Sequence, residues 1–101
     1  MPEYKRIKIV GGTYFFTVIS YNRKPLLTVD IVRKGLRAAI NKTRKNLPFK
    51  IDAWVLLPDH LHTIWTLPSG DANFAARWAM IKQYTSKFCR HLLEHNENVN
   101  D

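Results

Sequence analysis

A chain of 101 residues, 46% of them hydrophobic, fits one folded domain and argues against both a disordered chain and a two-domain protein. Sixteen Lys and Arg stand against eight Asp and Glu, a formal net charge of +8. That balance points to a polyanion, nucleic acid ahead of a membrane, because no long apolar run and no lipidation signal occurs. The opening Met1-Pro2-Glu3-Tyr4-Lys5-Arg6 lacks an apolar signal-peptide core, and the single cysteine, Cys89, excludes an intrachain disulfide. Both fit a reducing cytoplasm.

In chain order, Tyr4, Lys5, Arg6 and Lys8 form a basic arm suited to phosphate or base contact. Gly11-Gly12 marks a turn or a close backbone approach. The first strand is expected over Thr13 to Tyr21, which is rich in β-branched and aromatic residues. A basic loop, Asn22-Arg23-Lys24-Pro25, comes next, and Arg23 is a candidate DNA contact. Thr28 can cap a helix from about Val29 to Asn46, with Asp30 in its first turn. Val29, Val32, Leu36, Ile40, Thr43 and Leu47 make its apolar stripe. Gly35 weakens that helix by about 1 kcal/mol relative to Ala. Two apolar strands, Ile51 to Leu57 and His60 to Leu67, are separated only by Pro58-Asp59, a tight hairpin. Asp71 or Asn73 can cap a second helix from about Phe74 to Leu93, with Phe74, Trp78, Ile81, Thr85, Phe88 and Leu92 as its stripe. Residues 1–93 then make the domain, and the polar run from Glu94 to Asp101 is expected to fray.

Strand, helix, strand, strand, helix is most of a ferredoxin-like, split βαβ arrangement: an α+β fold with an antiparallel sheet and two helices on one face, lacking its last strand. Within it, His60 and His62 flank Leu61 on a strand, so the two imidazoles share one face. Two converging imidazoles can hold one divalent ion and leave positions open for water and a phosphate oxygen. The plain alternative is two solvent-facing histidines on an edge strand. Cys89, His91 and His95 are spare ligand candidates near the end of the chain. Of the strand aromatics Tyr14, Phe16, Tyr21, Trp54 and Trp65, some can face bases, though core packing suits each one better. On the second helix, Arg77, Met80, Tyr84, Lys87 and His91 recur at three- and four-residue steps. Arg77 and Lys87 are candidate DNA contacts, and Tyr84 between them is a candidate nucleophile.

Two blocks carry a family resemblance. Glu3-Tyr4-Lys5-Arg6 with the later Gly11-Gly12-Thr13-Tyr14-Phe15-Phe16-Thr17-Val18 resembles the opening of the REP-associated tyrosine transposases, a branch of the single-tyrosine HUH transposases. The run from Pro48 through Ala53-Trp54-Val55-Leu56-Leu57-Pro58-Asp59-His60-Leu61-His62 to Pro68 resembles their core signature almost residue for residue. Gly70-Asp71, Arg77-Trp78 and Ile81-Lys82 resemble the next segment of that family, and the likeness fades after Lys87.

The resemblance implies a ferredoxin-like sheet with the His pair on a central strand, a Mg²⁺ or Mn²⁺ ion held by His60 and His62, and transesterification of single-stranded DNA beside repetitive extragenic palindromes. In that chemistry a tyrosine oxygen attacks the phosphodiester, forms a 5′-phosphotyrosine link and frees a 3′-hydroxyl. The family tyrosine lies in a later run resembling Asp-Tyr-Ile-His-Xaa-Asn-Pro, which this sequence does not contain. The resemblance therefore reads the chain as a shortened member without the catalytic helix, inactive alone and still able to bind single-stranded or hairpin DNA. A non-catalytic DNA-binding remnant and an RNA-binding ferredoxin-like module are the alternatives. A homodimer through the open sheet edge and a cytoplasmic, nucleoid-associated location complete the expectations.

Overall fold

The computed structural model describes residues 11–100, the side chains of 93 and 95–100 excepted. Strand β1 spans Thr13–Ile19, helix α1 Asp30–Asn46, β2 Lys50–Leu56, β3 His60–Thr66 and α2 Phe74–Asn100. A single 3₁₀ turn, Tyr21–Arg23, lies just beyond β1. The expected strand to Tyr21 stops at Ile19 because Asn22 and Arg23 take left-handed φ values of 53° and 51°, which turn the chain away. Helix α2 continues past Leu93 to Asn100, since no glycine or proline occurs after Gly70 to stop it.

The sheet is antiparallel in the order β1-β3-β2, so the His-bearing strand is central and not an edge. In register, His60 faces Ile19 and His62 faces Thr17 on β1, while Val55 of β2 faces His62 from the other side. A bulge between Ile51 and Ala53 inserts Asp52 into β2. The β2–β3 connection is tight: Leu57 N–H donates to His60 O at 2.9 Å. Ser20 N–H bonds Asp59 O, and Leu27 N–H bonds Pro58 O, both at 2.9 Å, so the hairpin end is tied to the rest of the fold. Gly11 has φ +67° and donates to Asp71 O at 2.7 Å, the close backbone approach expected of the glycine pair.

One face of the sheet carries the core. Tyr14, Phe16 and Val18 of β1 and Leu61 and Trp65 of β3 are buried with Leu36, Ala39 and Ile40 of α1 and Phe74, Trp78 and Ile81 of α2. Trp65 is the centre: Trp78 stacks on it at 4.4 Å, Phe49 lies at 4.2 Å and Phe16 at 4.8 Å. The expected capping of α2 is met by Asn73, whose Oδ1 accepts from Ala76 N–H at 3.1 Å, while Asp71 accepts from Asn73 N–H. Helix α1 differs from expectation at its start. Val29 takes the N-cap position with no side-chain cap and is 47% exposed, outside the apolar stripe. Gly35 is buried where α1 meets α2, and a Cβ there would lie 2.6 Å from Cys89 Sγ.

Candidate metal and nucleic-acid site

Alternation along β3 buries Leu61, Thr63 and Trp65 under the helices and turns His60, His62, Ile64 and Thr66 to the opposite face. The two imidazoles meet there, ring centres 4.9 Å apart and planes at 78°. Each ring is held through Nδ1. His60 Nδ1 lies 2.7 Å from Asp59 Oδ1, and since a carboxylate only accepts, Nδ1–H is the donor and Nε2 keeps its lone pair. His62 Nδ1 lies 3.0 Å from Thr17 Oγ1, a hydroxyl that serves either tautomer. Phe15, one strand over and 48% exposed, stacks on His62 at 5.6 Å and 20°.

Charge reinforces the His60 side. Asp59 Oδ2 also pairs with Arg23 Nε at 3.4 Å. The hydrogen bond from His60, with the nearby Arg23 charge, holds the Asp59 carboxyl below the usual carboxylate range. An imidazole fixed through one nitrogen by a carboxylate or hydroxyl presents the other as a ligand, the usual outer support of metal-binding histidines. Two such nitrogens on one accessible face fit a cation bound by two protein ligands with further positions open. Among the described residues no group of three His, Cys, Asp or Glu is assembled, so a closed structural metal site is not formed there.

The remaining sequence candidates separate. Arg23 lies beside the His pair. Lys87 is exposed on α2, across the sheet from it. Arg77 is a correction. It is 1% exposed and donates from Nη1 and Nη2 to the Asp71 carboxylate at 3.2 and 2.9 Å, from the same two nitrogens to the carbonyls of Asn73 and Pro48, and from Nε to the carbonyl of Leu47. A guanidinium used up in this way clamps the α1–β2 and β3–α2 loops and has no face left for DNA. Tyr84 packs against the core from α2 and stacks with Phe88 at 6.1 Å, on the helix side of the sheet. The fold does not bring it to the imidazoles. Cys89 and His91 sit on α2 as well, and Cys89 Sγ points to Ile31 O at 3.7 Å. Tyr4, Lys5, Arg6 and Lys8 and the His95 side chain lie outside the described residues.

Of the strand aromatics, Tyr14, Phe16 and Trp65 are core, Trp54 is half-buried and Tyr21 is exposed. Phe15, Thr17 and Asp59 join the site without a sequence signal of their own. Strict alternation in Thr13–Ile19 puts Phe15 and Thr17 together, but which of the two phenylalanines faces outward is decided by the helices.

Over 90 residues, 88% of its length, the chain is 50% identical to the REP-associated tyrosine transposase of Escherichia coli strain K12. A solved structure of a REP-associated tyrosine transposase bound to a REP hairpin superposes with a TM-score of 0.76 at 49% identity, covering 88% of this chain and 53% of that one. The chain belongs to the REP-associated tyrosine transposase family. It spans about half the length of the curated relatives it matches, 53% and 56%. A Deinococcus radiodurans R1 protein, 16% identical with a TM-score of 0.64 over 93% of this chain and 71% of its own, shares the fold. No protein-family model matches the chain. The α+β sheet with two helices agrees with both solved neighbours. Among the described residues no helix is long and apolar enough to cross a membrane.

Proposed function

We propose that this chain supplies the metal-holding and DNA-holding platform of a REP-associated tyrosine transposase, with palindromic hairpin or single-stranded DNA as its partner. The observation that carries the reading is the pair of imidazoles on the open face of the central strand, each anchored at Nδ1. His60 and His62 would hold Mg²⁺ or Mn²⁺, with phosphate oxygens and water filling the rest of the shell. Such an ion polarises a phosphodiester and offsets charge on the leaving oxygen. Asp59 and Thr17 orient the two rings, Arg23 adds positive charge at the DNA side, and Phe15 offers a flat apolar surface to a base. The excess of basic residues supports a polyanionic partner, and the relative solved with a REP hairpin supports hairpin DNA as that partner.

The chain alone is expected to bind rather than cut. Tyr84, the candidate nucleophile, is packed on the far side of the sheet from the imidazoles. Titrating the protein with Mn²⁺ and monitoring the free ion by electron paramagnetic resonance tests the site. The chain should bind Mn²⁺, and His60→Ala and His62→Ala should each lose it. Equal binding by both variants would remove the metal assignment. A labelled palindromic hairpin should bind with an affinity that falls steeply with salt, because each neutralised phosphate releases counterion. With Mg²⁺ or Mn²⁺ present it should yield no covalent protein–DNA adduct, and Tyr84→Phe should change nothing. An adduct lost in Tyr84→Phe would overturn the platform reading.

A further inference from the structure

On the other side of the molecule from the imidazoles, α1 and the β2 edge enclose a groove of about 470 Å³. Its floor holds Trp54 with Ile51 and Leu56, and its rim is Arg33, Arg37 and Asn41. These three recur every four residues and make one row along the helix, neighbours about 5–6 Å apart at Cβ. Arg44 and Lys45 continue the row into a second depression beside Phe49. Helix α1 carries six basic residues against the single acid Asp30, so it holds most of the chain's excess charge. The one carboxylate of α1, Asp30, pairs with Arg33 at 3.1 Å and Lys34 at 3.0 Å, all three side chains more than half exposed. Pairs so exposed are weak and yield to a phosphate. Asp52, on the β2 bulge, is turned away and accepts from Thr66 Oγ1 at 2.6 Å. Arg37 makes no ion pair among the described residues.

A row of guanidinium groups beside an accessible indole is the pairing that holds single-stranded nucleic acid: charge tracks the backbone and a ring takes a base face. A duplex hides its base faces, so a single strand is the occupant the groove suits. The groove is also in reach of the His pair. Val55 is the register partner of His62, and Trp54, the next residue back, points to the opposite face. A strand leaving the imidazoles therefore needs only to cross the β2 edge to enter the groove.

We infer that the α1–β2 groove is a second DNA-binding site, in which Arg33 and Arg37 take phosphates of a single strand and Trp54 stacks on a base. This rests on the DNA-binding reading above, and the experiment separates the two. Of the three tryptophans, Trp65 and Trp78 are at most 1% exposed, so a bound base can reach Trp54 alone. A labelled thymidine oligonucleotide of about 12 nucleotides is titrated into the full chain, with anisotropy and tryptophan emission read together. Binding should quench the emission. Trp54→Phe should remove the quenching, and Arg33→Gln with Arg37→Gln should weaken binding about tenfold and flatten the slope of log affinity against log salt by about 1.4. Both arginines are exposed, so the fold survives their replacement. Binding of the oligonucleotide without quenching, and unchanged in the double variant, would overturn the groove while leaving DNA binding elsewhere intact. No binding of the oligonucleotide would also overturn it, and the palindromic hairpin would then show whether the platform reading stands.

Discussion

The two faces of one three-stranded sheet have been put to different uses. On the helix-covered face, Trp65 is 0% exposed and is ringed by Phe16, Phe49 and Trp78. On the other face of the same strand, His62 stays reachable and its ring is positioned by one hydroxyl and one stacked phenylalanine. Stability is concentrated where side chains are packed, and the open face is where polar atoms remain available to a ligand. The same division separates identical residue types: Arg77 is spent inside the fold, while Arg23, Arg33 and Arg37 remain on its surface.

The strongest way to break this division is at Arg77. Arg77→Ala should cost about 3–5 kcal/mol, because it strips the Asp71 carboxylate and three backbone carbonyls of their donor at once. Arg77→Lys should rescue little, since a single ammonium does not span the fork geometry. Thermal denaturation checks both. The pair also carries a pH signature. The hydrogen bond from Arg77, with that from Asn73 N–H, holds the Asp71 carboxyl below its ordinary value. A group depressed on folding adds stability that is complete above its unfolded value near 3.9 and disappears as pH falls through the lower folded value. The stability gap between the wild-type chain and Asp71→Asn should be constant above about pH 5 and close below about pH 4. A gap that widens in acid would contradict the pairing.

Next in size is the helix contact. From sequence, Gly35 is a weak point, and Ala there is expected to help by about 1 kcal/mol. The packing reverses the sign. A Cβ at Gly35 meets Cys89 Sγ at 2.6 Å and the backbone of Thr85 and Cys89 at 3.4 Å. Gly35→Ala should therefore destabilise by about 1–3 kcal/mol, and Cys89→Ala in the same chain should recover most of it. A stabilised Gly35→Ala would show that α1 and α2 do not cross this closely.

Gly35 and Arg77 mark where the sequence stops being readable. Strands, helices and the shared face of the His pair come from local alternation and helical spacing, and the order of elements supplies the split βαβ arrangement. Which apolar positions become core, which arginine turns inward and which glycine is a contact depend on partners far along the chain, such as Pro48 for Arg77 and Cys89 for Gly35. Val29 continues the stripe in spacing yet sits before the helix begins. Phe15 and Phe16 are chemically equal neighbours, and only the helices on one side make one of them core and leave the other beside His62.

The smallest stability effects are expected on the open face, and that smallness is the test. His60→Ala, His62→Ala and Phe15→Ala remove side chains that leave no enclosed cavity, so each should cost no more than about 1 kcal/mol. Trp65→Ala, one layer below, should cost about 3–5 kcal/mol and leave little folded protein in a domain this size. Losing Mn²⁺ in the two histidine variants at unchanged melting temperature is the expected result. Phe15→Ala should keep the metal and weaken hairpin binding about tenfold, through the lost stacking surface. If a histidine variant instead unfolds along with Trp65→Ala, the imidazoles belong to the core's energetics, and the division between the two faces fails at the proposed metal ligands.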